Sequence, residues 1–245
     1  MTEAGAPTRL RRFALRLAAE FGVVVLGVTV ALWADGWAAE HRERAVETAR
    51  LHALRGNVES TLAGLRRFRQ EAEDVAEGLR GLASLPSTDR DAGQLVGAVG
   101  WGFFGMPTFH PELNVYDDLK SSGELALLTD PSLRQGLSAM DAAIERLRLA
   151  QEDLTTVQQL NLDPFLIQRV DLRHVMDVGE MGLHEVAAPS RSELIFTSDP
   201  EFRNLALFKL DLVLQADRAA AEAEERMLAV RHALAEQLGE GGPEG

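Results

Sequence analysis

One stretch limits what this chain can become more than any other: Phe21 to Ala39, FGVVVLGVTVALWADGWAA, where Asp35 is the only charged side chain. At 1.5 Å per residue these positions span about 28 Å as a helix, close to the roughly 30 Å hydrocarbon core of a bilayer. The composition predicts one membrane-spanning helix over residues 21–39. Trp33 and Trp37 lie one helical turn apart near its end, where indoles settle among headgroups. Asp35 between them then sits at the interface rather than at mid-membrane, where a carboxylate costs roughly 2.5–3.5 kcal/mol. At the other edge Glu20 follows Arg16 by four residues, so the two can pair and both can snorkel. Arg16, Glu20 and Asp35 are thus the polar edges of the span, with Trp33 and Trp37 as interfacial anchors. A cleaved signal peptide, with Gly36 and Ala38 at its cleavage site, and a buried helix of a soluble core are the competing readings. The paired tryptophans favour the anchor.

The direction of insertion rests on arginines. Four stand before the span (Arg9, Arg11, Arg12, Arg16) and four shortly after it (Arg42, Arg44, Arg50, Arg55), so a simple count is level. The leader packs its four into eight positions, and long downstream domains are exported with little regard to charge. Residues 1–20 are therefore read as a short basic cytoplasmic leader, and the bulk of the chain as lying in the periplasm or outside.

From Leu51 the apolar pattern becomes heptad: Leu51, Val58, Leu65, Ala72 and Leu79 form one column, and Leu54, Thr61, Phe68, Val75 and Leu82 another. No proline intervenes before Pro86, which predicts that the anchor runs unbroken into a helix ending near Leu85. Such a stripe needs covering helices. Two candidates follow in the same chain: Leu133, Leu137, Met140, Ile144, Leu147 and Leu154, with Gln151 and Gln158 weakening the seam, and Ala206, Val213, Ala220, Met227 and Leu234, broadened by Leu207, Leu214, Leu228, Ala216, Ala223 and Val230. Each opens on an Asp N-cap followed by proline, Asp130-Pro131 and Asp199-Pro200. The fold expected is all-α: a single transmembrane helix continuing into a long heptad helix packed with antiparallel helices as an elongated bundle over residues 40–238. Residues 86–128 read as an irregular cap with short helices near Asp91–Gly100 and Asn114–Ser122, the latter stopped by Gly123. A further short helix is expected around Phe165–Leu172, and residues 239–245 as a disordered acidic tail.

The run Glu20 to Arg44, EFGVVVLGVTVALWADGWAAEHRER, resembles the leading signature of an uncharacterised family of bacterial single-pass membrane proteins. There a glutamate precedes an aliphatic run with a glycine, then an alanine-leucine pair, a polar pair, a tryptophan and a charged helix. Tyr116 to Leu125, YDDLKSSGEL, is similar to that family's middle motif. Trp33 and Asp35-Gly36 depart from its usual residues. The resemblance implies a bacterial inner-membrane, single-pass topology and carries no catalytic residue.

Charge and motifs narrow the function. The formal charge of -13 lies in the body rather than the basic leader, and an acidic body repels phosphate backbones, which argues against nucleic acid as a partner. Cysteine is absent, which removes thiol chemistry and thiolate metal sites. No phosphate-binding glycine loop, zinc-helix motif or nucleophile elbow is present. His174 with Asp177 and His184 with Glu185 read as surface pairs. Trp101, Phe103, Phe104 and Phe109, with His110, Tyr116 and Asp117, form the one speculative pocket, against the alternative that they fill core. No catalytic residue, metal site or cofactor is assigned, and the chain is not read as an enzyme. The function expected is a membrane-anchored interaction or scaffold module that contacts the bilayer and either its own copies or a membrane-protein partner. Ligand sensing through a separate signalling partner is the alternative, and a membrane-bound enzyme the least favoured.

Overall fold

The computed structural model describes residues 7–84, 92–174 and 199–239. It falls into two units, Met1–Leu51 and His52–Gly245. The secondary structure is helical, with no strand among the described residues: α1 (Pro7–Ser84), α2 (Ala92–Val99), α3 (Asn114–Ser121), α4 (Pro131–Val157), α5 (Asp163–Arg169) and α6 (Pro200–Gln237). π-Helical turns occupy Gly100–Phe104 and Gln158–Leu162, and 3-10 turns Glu124–Leu127 and Leu172–His174. The uninterrupted α1 matches the absence of proline before Pro86. Leu194 to Phe196, whose apolar run reads as a short extended or buried stretch, lie outside the described residues, as do Asp177, His184, Glu185 and the tail 240–245.

In the first unit the helix carries its apolar side chains in the open. Phe21, Val25, Leu26, Val28, Val30, Leu32, Trp33 and Trp37 are all exposed. Thr29 Oγ1 returns its hydroxyl proton to the Val25 carbonyl at 2.8 Å, the usual way a threonine satisfies itself within a helix. Asp35 is exposed, and His41 Nδ1 donates to the Trp37 carbonyl at 3.0 Å with its ring 4.1 Å from the indole. Among the described residues no helix is long and apolar enough to cross a membrane. The run 21–39 includes positions 22–24, 34, 38 and 39, whose side chains fall outside that description, as do those of Arg16 and Glu20.

In the second unit both heptad columns of α1 are buried, from Val58 to Leu79 and from Leu54 to Leu82, and Leu62 and Ala76 widen the face; Leu51, the last residue of the first unit, is buried too. The apolar columns expected on α4 and α6 are buried as well, except that Leu207, expected to broaden the α6 stripe, is exposed and Leu214 and Leu228 are half-buried, because they lie to the side of the Ala206–Val213–Ala220 column. Both helices start as their sequences dictate: Asp130 Oδ1 accepts from Ser132 N at 2.7 Å, and Asp199 Oδ1 from Glu201 N at 2.9 Å. Ion pairs fix the seams. Arg69 bonds Asp217 at 3.0 Å and Glu224 at 2.9 Å, Arg66 reaches Glu224 at 3.0 Å, and Arg146 pairs with Glu222 at 2.6 Å. Burial pushes the Glu224 carboxyl up, but the hydrogen bonds from Arg66 and Arg69 outweigh it and hold the group below the usual carboxylate range.

The stretch expected to cap the fold instead runs back along α1. Gly102 lies against Gly78, Gly105 against Val75 and Phe109 against Gly64. Thr61 Oγ1 donates to the Glu112 carbonyl at 3.0 Å, and Asn57 Oδ1 accepts from Val115 N at 2.9 Å. From the other side Gln151 Oε1 accepts from Phe109 N at 2.7 Å. A non-helical strap must place its backbone donors and acceptors somewhere. Here Asn57, Thr61 and Gln151, polar residues in or beside apolar columns, receive them.

Glycine is required at two points on this strap. A Cβ on Gly78 would stand 3.0 Å from Gly102 N, and one on Gly105 would fall on the Trp101 carbonyl oxygen and Val75 Cγ2. Gly56, mid-helix on the exposed side of α1, has nothing within 4 Å. Gly105→Ala is therefore expected to lower stability by about 2–3 kcal/mol through overpacking. Gly56→Ala should raise it by about 0.5–1 kcal/mol. Urea unfolding of the two variants checks both signs.

Candidate functional site

At the centre of the second unit stands a lysine that the sequence reading passed over. Lys209 lies on the buried face of α6, one heptad before Ala216 and three residues after Ala206, and is 0% exposed. Its Nζ donates to the Phe103 carbonyl at 2.7 Å, the Gly105 carbonyl at 2.9 Å and Gln158 Oε1 at 2.8 Å. Gln158 Nε2 in turn donates to Asp163 Oδ1 at 2.6 Å. A neutral amine offers two protons and an ammonium three, so three acceptors fit the charged form. Burial opposes it and pushes the lysine pKa down to about 7, with the Asp163 carboxylate acting the other way.

Both π-helical turns meet at this ammonium, one through the Phe103 carbonyl and the other through Gln158. A π turn spends one residue more than an α turn and redirects the backbone groups beside it. Around the ammonium Phe103 stacks on Phe202 at 4.7 Å, and Phe165 stands 6.1 Å from Phe202. With the lysine itself 0% exposed, each of the three bonds is stronger than it would be in water. All three protons are held, so the geometry is that of a cross-brace between α6 and the strap rather than of a free nucleophile.

The outer side of the same turn is open. Trp101 is 68% exposed and lines a groove of about 410 Å³ with Asp74, Glu77, Gly78, Gly97 and Ala98. Asp74 accepts from Gln70 at 3.0 Å, whereas Glu77 is exposed and has no hydrogen-bond or ionic partner among the described residues. The turn that mounts Trp101 is pinned inward by Lys209 and sideways by the Gly78 contact. Gly105 N also closes it onto the Trp101 carbonyl at 3.1 Å.

The other aromatic-patch residues do not converge on one cavity. Phe103 and Phe109 are buried, the latter with its ring 6.4 Å from Phe68. Phe104 is half-buried, while His110 and Asp117 are exposed. Tyr116 is buried, and its hydroxyl is bonded to Asp141, which also accepts from Lys120 Nζ at 2.6 Å. Ser121 and Ser122 donate to the carbonyls of Asp118 and Leu119 and complete the end of α3. Among the described residues no three His, Asp or Glu side chains are grouped as a metal site. A cue to Lys209 was available in its spacing, because carrying the Ala216, Ala223, Val230 column back by seven places a lysine at a core position.

The lysine and the tyrosine give stability a defined pH dependence. Between pH 7 and 10 the unfolded lysine keeps its proton while the folded one gives it up near 7, so the unfolded chain binds more protons and stability rises with pH. The gain over this window is on the order of 4 kcal/mol. Above about pH 10 burial keeps the Tyr116 hydroxyl protonated only in the fold, and stability falls again. Urea unfolding from pH 6 to 11 should show this rise and fall, and Lys209→Met should flatten the rise. Comparisons with models of known families, with curated proteins and with solved structures gave no match to this chain.

Proposed function

We propose that this chain is a membrane-tethered helical interaction module, in which α1, α4 and α6 form an antiparallel bundle carried on a single anchor over residues 21–39. The exposed apolar surface of the first unit carries this reading. Phe21, Val25, Leu26, Val28, Val30, Leu32, Trp33 and Trp37 are left uncovered. At roughly 100° per residue they spread over about 200° of the helix, wider than the stripe one packed neighbour covers. Lipid is the solvent that accepts such a surface, with Trp33, Asp35 and Trp37 at the boundary with water. The likeness of residues 20–44 to the single-pass family signature supports the same topology.

For the bundle, support comes from pairs whose order reverses between helices: Gly136 meets Val230, Arg146 meets Glu222 and Gln158 meets Lys209. The proposed topology puts the basic leader in the cytoplasm and the body on the far side of a bacterial inner membrane. Ligand sensing is the second reading. It is favoured by the open groove beside Trp101 and would need a separate signalling partner.

Fractionation tests the anchor. The intact chain should remain in the membrane pellet after alkaline carbonate washing. Leu26→Lys with Val30→Lys, each costing roughly 2.5–3.5 kcal/mol at mid-membrane, should move most of it to the supernatant. Recovery of the unaltered chain in the soluble fraction sinks the proposal, and so does a membrane-bound chain that crosslinks to neither a second copy nor a membrane protein.

A further inference from the structure

The groove between α1 and the π turn is fitted to a cation with a flat face. One wall is the indole of Trp101, whose π face attracts cations most strongly among aromatic side chains. Asp74 and Glu77, three residues apart on the same side of α1, line the same groove. Among the described residues no hydrogen bond or ion pair occupies Glu77, so its two oxygens remain available. A Cβ built on Gly81 or Gly97, which also line the groove, would have nothing within 4 Å among the described residues.

The support is as telling as the lining. A large exposed ring on a loose loop has no particular meaning. Trp101 instead sits on a turn fixed at its inner face by two bonds from the Lys209 ammonium and at its flank by the backbone contact of Gly78 with Gly102. The indole is thus presented outward on a rigid mount, which spares a ligand the entropy of ordering it. The volume of about 410 Å³ is ample for one long side chain and its flanking backbone. Two carboxylates beside an indole face suit a guanidinium better than a compact ammonium. The planar ion stacks on the ring while its fork of N–H donors meets a carboxylate in a bidentate pair.

We propose that this groove binds an arginine side chain presented by a partner protein, with Trp101 stacking on the guanidinium and Glu77 pairing with it. The strongly acidic body attracts a basic partner over distance, and the groove gives that attraction one defined seat. The site does not depend on the membrane anchor.

The test uses the full chain with Trp33→Phe and Trp37→Phe, so that Trp101 is the only tryptophan fluorophore. N-acetylarginine amide should change its fluorescence saturably. N-acetyllysine amide should bind several-fold more weakly and the uncharged citrulline analogue not measurably. Glu77→Gln should weaken the arginine probe by about tenfold, the equivalent of roughly 1.4 kcal/mol. Since Glu77 is exposed, the unfolding midpoint of that variant should match its parent. No saturable response to the arginine probe overturns the proposal, as does a response indifferent to Glu77→Gln. Tighter binding of tetramethylammonium than of the arginine probe also overturns it, in favour of a free quaternary cation.

Discussion

A helix whose largely apolar face runs from Leu54 to Leu82 must be covered along its whole length, and most of the second unit follows from how that is done. Apolar columns on α4 and α6 are buried in the same unit, but a set of helices leaves gaps where their surfaces diverge. The strap from Gly102 to Val115 lies in one of them. Because its backbone is largely non-helical, its carbonyls and amides need partners that a purely apolar column lacks. Asn57, Thr61, Gln151 and Lys209 supply those partners, so the polar interruptions of the heptads are what satisfy the strap's inward backbone groups.

Lys209 is the most demanding of these contacts. A buried ammonium with no carboxylate in direct contact is tolerated only when every proton has an acceptor. Three acceptors are brought together here by two π turns and a glutamine. The same arrangement settles what the outer face of the strap displays. Holding Phe103 inward against Phe202 leaves Trp101, two residues earlier, directed to solvent beside Asp74 and Glu77. Core stability and the shape of the groove therefore share one support.

Helix identity and limits were legible to a large degree, since they arise from local chemistry. The proline-free stretch up to Ser84, the Asp-Pro starts of α4 and α6 and the stop at Gly123, with φ 78°, each follow from residues within one turn. Burial of the heptad columns followed from periodicity alone. The aromatic segment was less legible. Its residues are adjacent in sequence, which suggested one pocket, but the strap sends Phe103 and Phe109 inward and leaves His110 in water. Gln151 and Gln158 read as weak points of a seam because their partners Phe109 and Lys209 lie at distant positions, on the strap and on α6.

The sequence by itself determined that this protein is helical, where its helices start and stop, and which faces they bury, because caps, prolines and heptad spacing act over a few residues. Its apolar run from Phe21 also supplied the apolar side chains that stand exposed in the first unit. Only the tertiary structure decided that the irregular segment lies along α1, that Lys209 is the brace beneath it and that Trp101 faces a groove with Glu77. Those outcomes depend on backbone groups of Phe103 and Gly105 meeting a side chain about a hundred positions away, and no local pattern encodes such a meeting.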